Sequence, residues 1–311
     1  MKTNLPSFIC IGGQRCGSTW LHRVLESHPQ VLLSPKESSF FNLRIRTKGI
    51  DWYSELFSSS DTDQSNMEEI KKGDITPTYS AMFIDEISLA KAIIPDLKII
   101  LIIRNPVDRM ISQITRQWTY SHIDEGASTT RNLLALLRQV DSGLSRRLTD
   151  FCKIYKNWSQ VFGKENILVK SYDSLSANPD NFISEITDFI EVENSHKFSD
   201  LLITRKANKS NLKEQVNPFL EWYLAVEWLP MVRKLNQEIS EPVLLEWIEK
   251  MEKIKEDYNL TWVIIYCFHK IYFFFPYSIL YHLFNIARSM YRKNMNNRVF
   301  EKCISPQYHC Q

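Results

Sequence analysis

A glycine-rich turn near the amino terminus carries residue types that bind phosphate. Its residues are Gly12, Gly13, Gln14, Arg15, Cys16, Gly17, Ser18 and Thr19. The chain has only 8 glycines, yet three of them fall in this turn, whereas average usage of about 7% would give roughly twenty in the chain. Glycines let backbone N–H groups face an anion, and the start of a helix adds partial positive charge. We therefore expect an anion site here, with Arg15 as its nearest cation.

The elements on either side of the turn favour the same interpretation. The apolar run from Phe8 to Ile11 predicts a buried strand, and the spacing from Ser18 to Pro29 predicts a helix. P-loop nucleoside triphosphatases carry a lysine directly after the second glycine of such a turn, whereas this chain carries Ser18. ATP hydrolysis is thereby disfavoured. The alternative left open is a tight turn that binds no ligand.

A second pair of anion-binding residues follows the strongest predicted strand. The run Lys98–Ile103 is continuous and β-branched, as in a strand buried on both faces of a parallel sheet, so we place it centrally. Arg104 follows at the carboxyl end of this strand, where open α/β sheets bind ligands. Ser112 lies two turns into the helix that Asn105 and Pro106 begin. Both side chains can therefore reach one phosphate.

Arg109 lies on the same predicted helix, which we expect to end near Ser121. Because Arg109 follows Asp108, it has two interpretations: a solvated charge on the helix surface or a further functional cation. Both interpretations stay open.

Strands alternate with helices along the first part of the chain. Further strands are predicted at 31–33 and 167–169, and further helices near 85–92, 131–140, 146–162 and 180–190. This alternation predicts a three-layer, P-loop-like α/β fold with a central parallel sheet. After Asn217 the pattern changes to amphipathic helices. We expect a domain at 1–235 and a helical, aromatic-rich extension at 236–311.

The composition excludes several classes of protein. Lys and Arg number 38 and Asp and Glu 36, a net charge of +2, so a general nucleic-acid binder is not expected. The six cysteines show no paired spacing, which argues against a zinc site or a disulfide framework. No secretory signal precedes the first strand, so a cytoplasmic enzyme is expected.

Residues 260–293 are rich in aromatic side chains and allow three interpretations. A membrane span is opposed by Lys270 near the middle of the apolar run and by Pro276. A helix lying on a membrane surface would use the trailing Arg288, Arg292 and Lys293. The third interpretation is an ordinary helical core. A peripheral membrane contact through 260–293 is thus one open expectation.

Several segments together carry a family resemblance. They are residues 13–21, 28–31, 35–41, 48–53, 73–79, 104–112 and, less clearly, 205–210. In this order they resemble sulfotransferases that use 3′-phosphoadenosine 5′-phosphosulfate (PAPS), in particular the heparan sulfate N- and 3-O-sulfotransferases and their bacterial relatives. The resemblance covers roughly the first two-thirds of the chain.

The resemblance implies how the donor would be bound, with adenosine 3′,5′-bisphosphate (PAP) as product. Residues 13–19 of the turn would hold the 5′-phosphate, and Arg15, where many relatives carry lysine, would stabilise the leaving phosphate. Arg104 and Ser112 would bind the 3′-phosphate, while Arg205 and Lys209 would close over the nucleotide. No metal is expected, because side chains supply the positive charge.

The resemblance also implies how the acceptor would be treated. Glu37 occupies the position of the general base, which removes the proton of a hydroxyl or amine on a carbohydrate-type acceptor. Lys36, Arg116 and Tyr120 are candidate acceptor contacts. Two other functions stay open: an atypical P-loop kinase, and a membrane-associated nucleotide-binding module without turnover.

Overall fold

The structure is a computed structural model that describes residues 4–58, 70–121, 129–194 and 217–270, without the side chains of 117–121 and 129–134. Within these ranges the chain forms a five-stranded sheet in which every pairing is parallel. The strands are β1 (Phe8–Gly12), β2 (Val31–Leu33), β3 (Lys71–Ile75), β4 (Lys98–Ile103) and β5 (Ile167–Ser171). Their order across the sheet is β2-β3-β1-β4-β5.

Strand β1 occupies the centre of the sheet. It pairs with β3 on one side and with β4 on the other, while β4 lies between β1 and β5. All residues of β1 are buried, and so is β4 after Lys98. A continuous apolar run indicates burial on both faces, a property that β1 and β4 share, so it cannot separate the central strand from its neighbour. Strand β4, with β1 and β5 on either side, is an inner strand of the sheet as predicted, and its burial is confirmed, while β1 occupies the middle position.

Strand β3 is the one element of the sheet that the sequence analysis does not predict. Lys71 and Lys72 make its first half polar, and Gly73 follows them. The Gly73 backbone lies opposite Phe8 of β1, and a Cβ at position 73 would lie 2.1 Å from the Phe8 ring. The glycine that weakens the strand pattern is therefore required by packing.

Helices cover both faces of the sheet, as the burial of β1 and β4 requires. They are α1 (Ser18–Glu26), α2 (Ile45–Glu55), α3 (Ile84–Ile93), α4 (Pro106–Ser121), α5 (Thr129–Val140), α6 (Gly143–Thr149), α7 (Phe151–Phe162), α8 (Tyr172–Ala177), α9 (Pro179–Ile190), α10 (Pro218–Glu238), α11 (Val243–Glu256) and α12 (Leu260–His269). Shorter helical turns lie at Phe40–Arg44, Pro77–Ala81 and Lys164–Asn166. The predicted α/β fold with a central parallel sheet is confirmed.

Two details of the helices differ from the prediction. The single helix expected at 146–162 is divided into α6 and α7 at Asp150, whose side chain accepts a hydrogen bond from the Lys153 backbone N–H at 3.0 Å. An acidic side chain in this role caps the start of a new helix. Helices α2 and α8 are absent from the prediction.

The helices after residue 217 pack onto the α/β layers. Helix α10 lies against α4, α7 and α11, and buries Trp228. Asp141, at the end of α5, accepts hydrogen bonds from Tyr223 of α10 and from His269 of α12, and it also pairs with Arg146. Residue 235, the predicted end of the first domain, lies inside α10. The boundary at 235 stays a prediction.

No described helix combines the length and the apolar character needed to cross a membrane. Residues 271–311 lie outside the described part of the chain, and most of the expected membrane contact at 260–293 falls there. Of the cysteines, Cys10, Cys16, Cys152 and Cys267 are described and are free thiols.

Candidate functional site

The glycine turn leaves β1 and enters α1 directly. Gly12, with φ +77°, and Gly17, with φ +94°, both adopt the left-handed backbone that glycine enters without a Cβ clash. The Gly13 N–H donates to the carbonyl of Ile102 in β4 at 2.7 Å, and the Cys16 N–H closes the turn on the Gly13 carbonyl at 3.2 Å. The turn is thus fixed against the carboxyl end of the neighbouring strand.

The start of α1 is open to an anion. Gly17 stands at the N-cap and offers no side chain to the first amides, and the first turn of the helix holds no acidic residue. The leading N–H groups of a helix lack partners within the helix and carry partial positive charge. Ser18 and Thr19 add hydroxyl groups beside these amides. This is the arrangement expected of a phosphate site.

The two groups of predicted anion-binding residues, the glycine turn with Arg15 and the pair Arg104 and Ser112, are in contact. The Arg15 Nε donates to Ser112 Oγ at 3.2 Å, across 97 residues of sequence. Arg104 donates from Nη1 to the backbone carbonyl of Arg15 at 2.8 Å. Strands β1 and β4 are neighbours, so the segments that follow them lie at the same edge of the sheet. The turn, Arg104 and Ser112 therefore form one site.

Positive charge accumulates in this site, and the arginines that carry it, Arg15, Arg104 and Arg109, are not in direct ion pairs within the described chain. Burial, followed by the charges of Arg116 and Arg104, lowers the pKa of Arg15. In the described part of the chain, none of Arg15, Arg104 and Arg109 forms an ion pair with a carboxylate. Neighbouring guanidinium groups that lower each other's pKa are stabilised by an anion between them. The electrostatics thus favour a ligand with more than one negative charge.

Arg109 is a buried cation beneath the turn, so the interpretation as a solvated surface charge is wrong. Its side chain is fully buried, with 0% exposure. Nη1 donates to the Gln14 carbonyl at 3.5 Å, and Nη2 donates to Gln113 Oε1 at 2.8 Å. Burial, together with the weaker effects of the Arg104 and Arg15 charges and against the opposing effect of Cys16, lowers the pKa of Arg109 to about 10. Arg109 therefore adds a fixed charge behind the turn.

Two further side chains, Tyr172 and Cys16, lie beside the arginines of the site. Arg104 lies over the ring of Tyr172, with Cζ 4.5 Å from the ring centroid, in a cation–π contact that fixes the guanidinium plane. Tyr172 is not among the predicted site residues, although it lies directly after β5, as Arg104 lies directly after β4. Burial raises the pKa of the Cys16 thiol to about 12, so Cys16 is a packing residue of the turn and not a nucleophile.

Lys36 joins the turn to the candidate base. Its Nζ donates to Thr19 Oγ1 and lies 3.7 Å from Glu37 Oε1. Burial lowers the pKa of Lys36, and Arg116 and Arg23 lower it further, while Glu37 raises it. The Glu37 side chain is 55% exposed. Glu37 therefore lies at the open side of the site, where an acceptor could approach.

Backbone strain is concentrated around these residues. Among the described non-glycine residues, positive φ angles occur at Arg15 (69°), Glu37 (61°), Ser39 (51°) and Glu191 (61°). The first three belong to the site. Such conformations are uncommon for residues with a Cβ and persist only where the surroundings enforce them, typically at functional sites.

The remaining predicted contacts, two to the acceptor and two to the nucleotide, are placed in part. Arg116 is exposed on α4 and is close enough to lower the pKa of both Arg15 and Lys36. Tyr120 lies on α4, but its side chain is outside the description. Arg205 and Lys209 fall outside the described residues. The roles of all four stay predictions.

Comparison with known proteins identifies the family. A model of the sulfotransferase domain matches residues 5–217, which include every residue of the site. The chain belongs to the sulfotransferase family. This membership sets aside the kinase alternative.

Individual relatives of this sulfotransferase agree with the predicted resemblance. The chain is 27% identical over 207 residues to bifunctional heparan sulfate N-deacetylase/N-sulfotransferase 1 of Caenorhabditis elegans, over 61% of this chain and 22% of that protein. It is 34% identical over 119 residues to the membrane-associated sulfotransferase kil1 of Dictyostelium discoideum, over 37% of this chain and 24% of that protein. The chain thus spans about a quarter of the length of these relatives.

A solved structure supports the fold. The sulfotransferase from Alicyclobacillus acidocaldarius superimposes with a TM-score of 0.60 at 22% identity, over 78% of this chain and 98% of that one. At this identity the likeness shows a shared fold, and the chemistry of this chain has to be argued from its own site.

Proposed function

We propose that the chain transfers the sulfuryl group of PAPS to a hydroxyl or amine of a carbohydrate acceptor. The observation that carries the proposal is the convergence of Arg15, Arg104 and Arg109, without carboxylate partners in the described chain, on a glycine turn and a helix start. PAPS carries phosphate groups at both ends of its ribose. A site with two connected cation clusters fits such a donor better than it fits a ligand with a single phosphate.

The proposed roles on the donor side follow from position. The turn at residues 13–19 holds the 5′-phosphate through the hydroxyls of Ser18 and Thr19 and through its amides other than those of Gly13 and Cys16, which are bound within the fold. Arg104 and Ser112 hold the 3′-phosphate, because a guanidinium binds phosphate oxygens in pairs and a hydroxyl completes the shell. Arg15 stabilises charge on the leaving oxygen. As arginine stays protonated near neutral pH, its contribution is electrostatic and not proton transfer.

On the acceptor side, Glu37 removes the acceptor's proton. The bond between sulfur and the 5′-phosphate oxygen breaks, a new bond forms from sulfur to the acceptor oxygen or nitrogen, and PAP leaves with the negative charge. Glu37 retains the proton. Lys36, within reach of both Thr19 and Glu37, holds the base beside the turn. Arg116, with the predicted contact Tyr120, would orient an anionic carbohydrate.

Nucleotide binding tests the donor assignment. Calorimetry in the presence of a metal chelator is expected to show PAP binding, and adenosine 5′-monophosphate should bind at least tenfold more weakly, the equivalent of about 1.4 kcal/mol. Equal affinity for the two nucleotides would contradict the 3′-phosphate site. Loss of PAP binding on chelation would contradict the expectation that no metal is needed.

Glu37→Gln tests the base. With radiolabelled PAPS and N-desulfated heparan sulfate as acceptor probe, we expect turnover to fall by about 10²–10⁴, with PAP affinity unchanged. Lys253→Gln, at an exposed lysine of α11, is the control and should leave turnover unchanged. Unaltered turnover in Glu37→Gln would remove Glu37 from the mechanism.

We also propose that the carboxyl-terminal segment contacts an anionic membrane surface peripherally. On α12, Leu260, Ile264 and Phe268 are 73%, 60% and 59% exposed and are spaced four residues apart, so they form one apolar face. Trp262 and Tyr266 hold α12 against α10, through a contact with Trp222 and a hydrogen bond to Glu227.

The charges of the following sequence favour the same partner. From 258 to 300 the chain contains no Asp or Glu, and its charged residues are Lys270, Arg288, Arg292, Lys293 and Arg298. Aromatic and basic residues without acids are typical of segments that bind anionic lipid headgroups.

Vesicle co-sedimentation tests the membrane contact. The full chain is expected to bind vesicles that contain phosphatidylserine and not vesicles of phosphatidylcholine alone. The double variant Leu260→Glu, Ile264→Glu should bind at least tenfold more weakly, since acidic residues oppose both contributions. Leu245→Glu, at a leucine of α11 that is 62% exposed, is the matched control. Equal binding by both variants would refute this contact.

A further inference from the structure

A buried carboxylate lies directly behind the loop that carries Glu37. Asp74 of β3 is 0% exposed, and four hydroxyl groups donate to it: Ser38 at 2.6 Å, Tyr79 at 2.7 Å, Thr76 at 2.8 Å and Tyr53 at 2.9 Å. Among the described residues, no cation hydrogen-bonds to Asp74. A carboxylate that is buried without a counterion is stable only when several hydrogen-bond donors contact it. The four hydroxyl groups therefore all donate to Asp74.

Three of these hydroxyls also accept hydrogen bonds from backbone N–H groups of residues 39–41. We call residues 37–41 the Glu37 loop. Tyr79 Oη accepts from the Phe40 N–H at 2.9 Å and from the Phe41 N–H at 3.4 Å. Thr76 Oγ1 accepts from the Ser39 N–H at 3.4 Å, and Ser38 Oγ accepts from the Phe40 N–H at 3.3 Å. Tyr53 differs, because its hydroxyl reaches Asp74 and none of these amides.

The charge of Asp74 gives this network a single direction. An ionised carboxylate only accepts, so each hydroxyl turns its hydrogen toward Asp74 and leaves its lone pairs for the loop amides. Burial and the charge of Asp74 raise the pKa of Tyr53 and Tyr79 well above its usual range, which keeps both phenols as donors. Each bond polarises the next, so the chain from carboxylate to hydroxyl to amide is cooperative.

The loop needs such a clamp. Glu37 and Ser39 both have left-handed backbone, with φ 61° and 51°, and the Glu37 N–H is bound to the Ile75 carbonyl of β3 at 3.1 Å. Glu37 and Ser39 are strained, and we expect their backbone to relax if the N–H groups of residues 39–41 lost their hydrogen bonds. We expect such a relaxation to change the position of the Glu37 side chain relative to Lys36.

We propose that Asp74 is a positioning residue, which holds the Glu37 loop in its strained form through the hydroxyls of Tyr79, Thr76 and Ser38. The proposal rests on the proposed role of Glu37 as base. It assigns Asp74 no contact with donor or acceptor.

Two tyrosines provide a matched test. Tyr79→Phe and Tyr53→Phe each remove one fully buried phenol from the same oxygen of Asp74, and only Tyr79→Phe also removes the acceptor of the loop amides. We expect hydrogen exchange at Phe40 and Phe41 to accelerate about tenfold in Tyr79→Phe and to stay unchanged in Tyr53→Phe. Equal exchange in the two variants would overturn the clamp.

Turnover of N-desulfated heparan sulfate completes the test. In Tyr79→Phe we expect kcat to fall about 10- to 100-fold through misplacement of the base, with the KM for PAPS unchanged and Tyr53→Phe near wild type. Combined with Glu37→Gln, Tyr79→Phe should lower kcat no further. If Glu37→Gln alone leaves kcat unchanged, the proposed base fails while the exchange result still decides the clamp. If Tyr79→Phe lowers kcat equally with and without Glu37→Gln, the positioning role is wrong.

Discussion

Replacement of Arg109 by methionine separates the stability of the ligand-free protein from its affinity for nucleotide. The side chain is fully buried, carries a positive charge, and has the neutral oxygens of Gln14 and Gln113 as partners. Methionine has similar reach and no charge. Arg109→Met therefore removes the charge behind the turn with little change in packing volume.

The magnitude follows from the pKa. The folded protein lowers the pKa of Arg109 from the usual range of arginine to about 10, and each pKa unit corresponds to about 1.4 kcal/mol, so the charge destabilises the ligand-free fold by about 3 kcal/mol. Because the pKa in the folded protein lies below that in the unfolded chain, this destabilisation applies at every pH below about 10 and disappears as the pH rises toward the usual pKa of arginine. Loss of two hydrogen bonds to neutral oxygens offsets about 1–2 kcal/mol of the gain. We expect Arg109→Met to raise the free energy of unfolding by about 1–2 kcal/mol.

The same substitution should weaken PAP binding at least tenfold, or about 1.4 kcal/mol. Urea unfolding at pH 7.5, with and without PAP, measures both quantities on one sample. Arg109→Lys keeps the charge and should retain part of the affinity. Arg233→Met, at an exposed arginine paired with Glu252 on the surface of α10, is the control and should change neither quantity. Reduced stability with unchanged PAP affinity in Arg109→Met would show that Arg109 is only a structural support.

Two further predictions concern Arg104 in the site and Asp141 at the end of α5. Arg104→Ala should lower PAP affinity about 10- to 100-fold, the range for a charged hydrogen bond. The affinity for adenosine 5′-phosphosulfate, which lacks the 3′-phosphate, should stay almost unchanged. Calorimetry with both nucleotides checks this, and equal losses of affinity would contradict the assignment of Arg104 to the 3′-phosphate. For Asp141, burial raises the pKa, but the hydrogen bond from His269 and the charge of Arg146 outweigh it and lower the pKa from 3.8 to about 2. This shift contributes about 2 kcal/mol of stability that is present above pH 4 and is lost as the pH falls toward 2. Asp141→Asn should show no such loss of stability between about pH 4 and pH 2 when unfolding is measured against pH. An acid-unfolding profile identical to that of the wild type would refute this role of Asp141.

The sequence predicted the main parts of the site because each part follows a strand. The glycine turn follows β1, Arg104 follows β4, and parallel neighbours bring their carboxyl ends to one edge. The sequence around these strands therefore indicated the site, although it did not show which of β1 and β4 lies in the middle of the sheet. Strand β3 was hidden because Lys71, Lys72 and Gly73 interrupt any apolar run.

Arg109 shows where sequence reasoning stopped. Beside Asp108 on an amphipathic helix, an arginine has the pattern of a solvated charge. Its burial results from contact with the Gln14 carbonyl, 95 residues earlier in the chain. The Asp74 network has the same character, since Tyr53 and Ser38 reach it across 21 and 36 residues. Such contacts depend on tertiary packing, which spacing along one element does not encode.

The separation of opposite charges within the site restricts the chemistry it can support. Arg15, Arg104 and Arg109 lie on the side of the turn, while Asp74, with hydroxyl donors only, lies behind the loop of Glu37. Lys36 bridges the two sides, through Thr19 and Glu37. In the proposed reaction, a donor with two anionic ends lowers the energy of the cationic side, and Glu37 takes the acceptor's proton. Because Lys36 contacts both Thr19 of the turn and Glu37, we expect the reacting atoms of donor and acceptor to meet beside it.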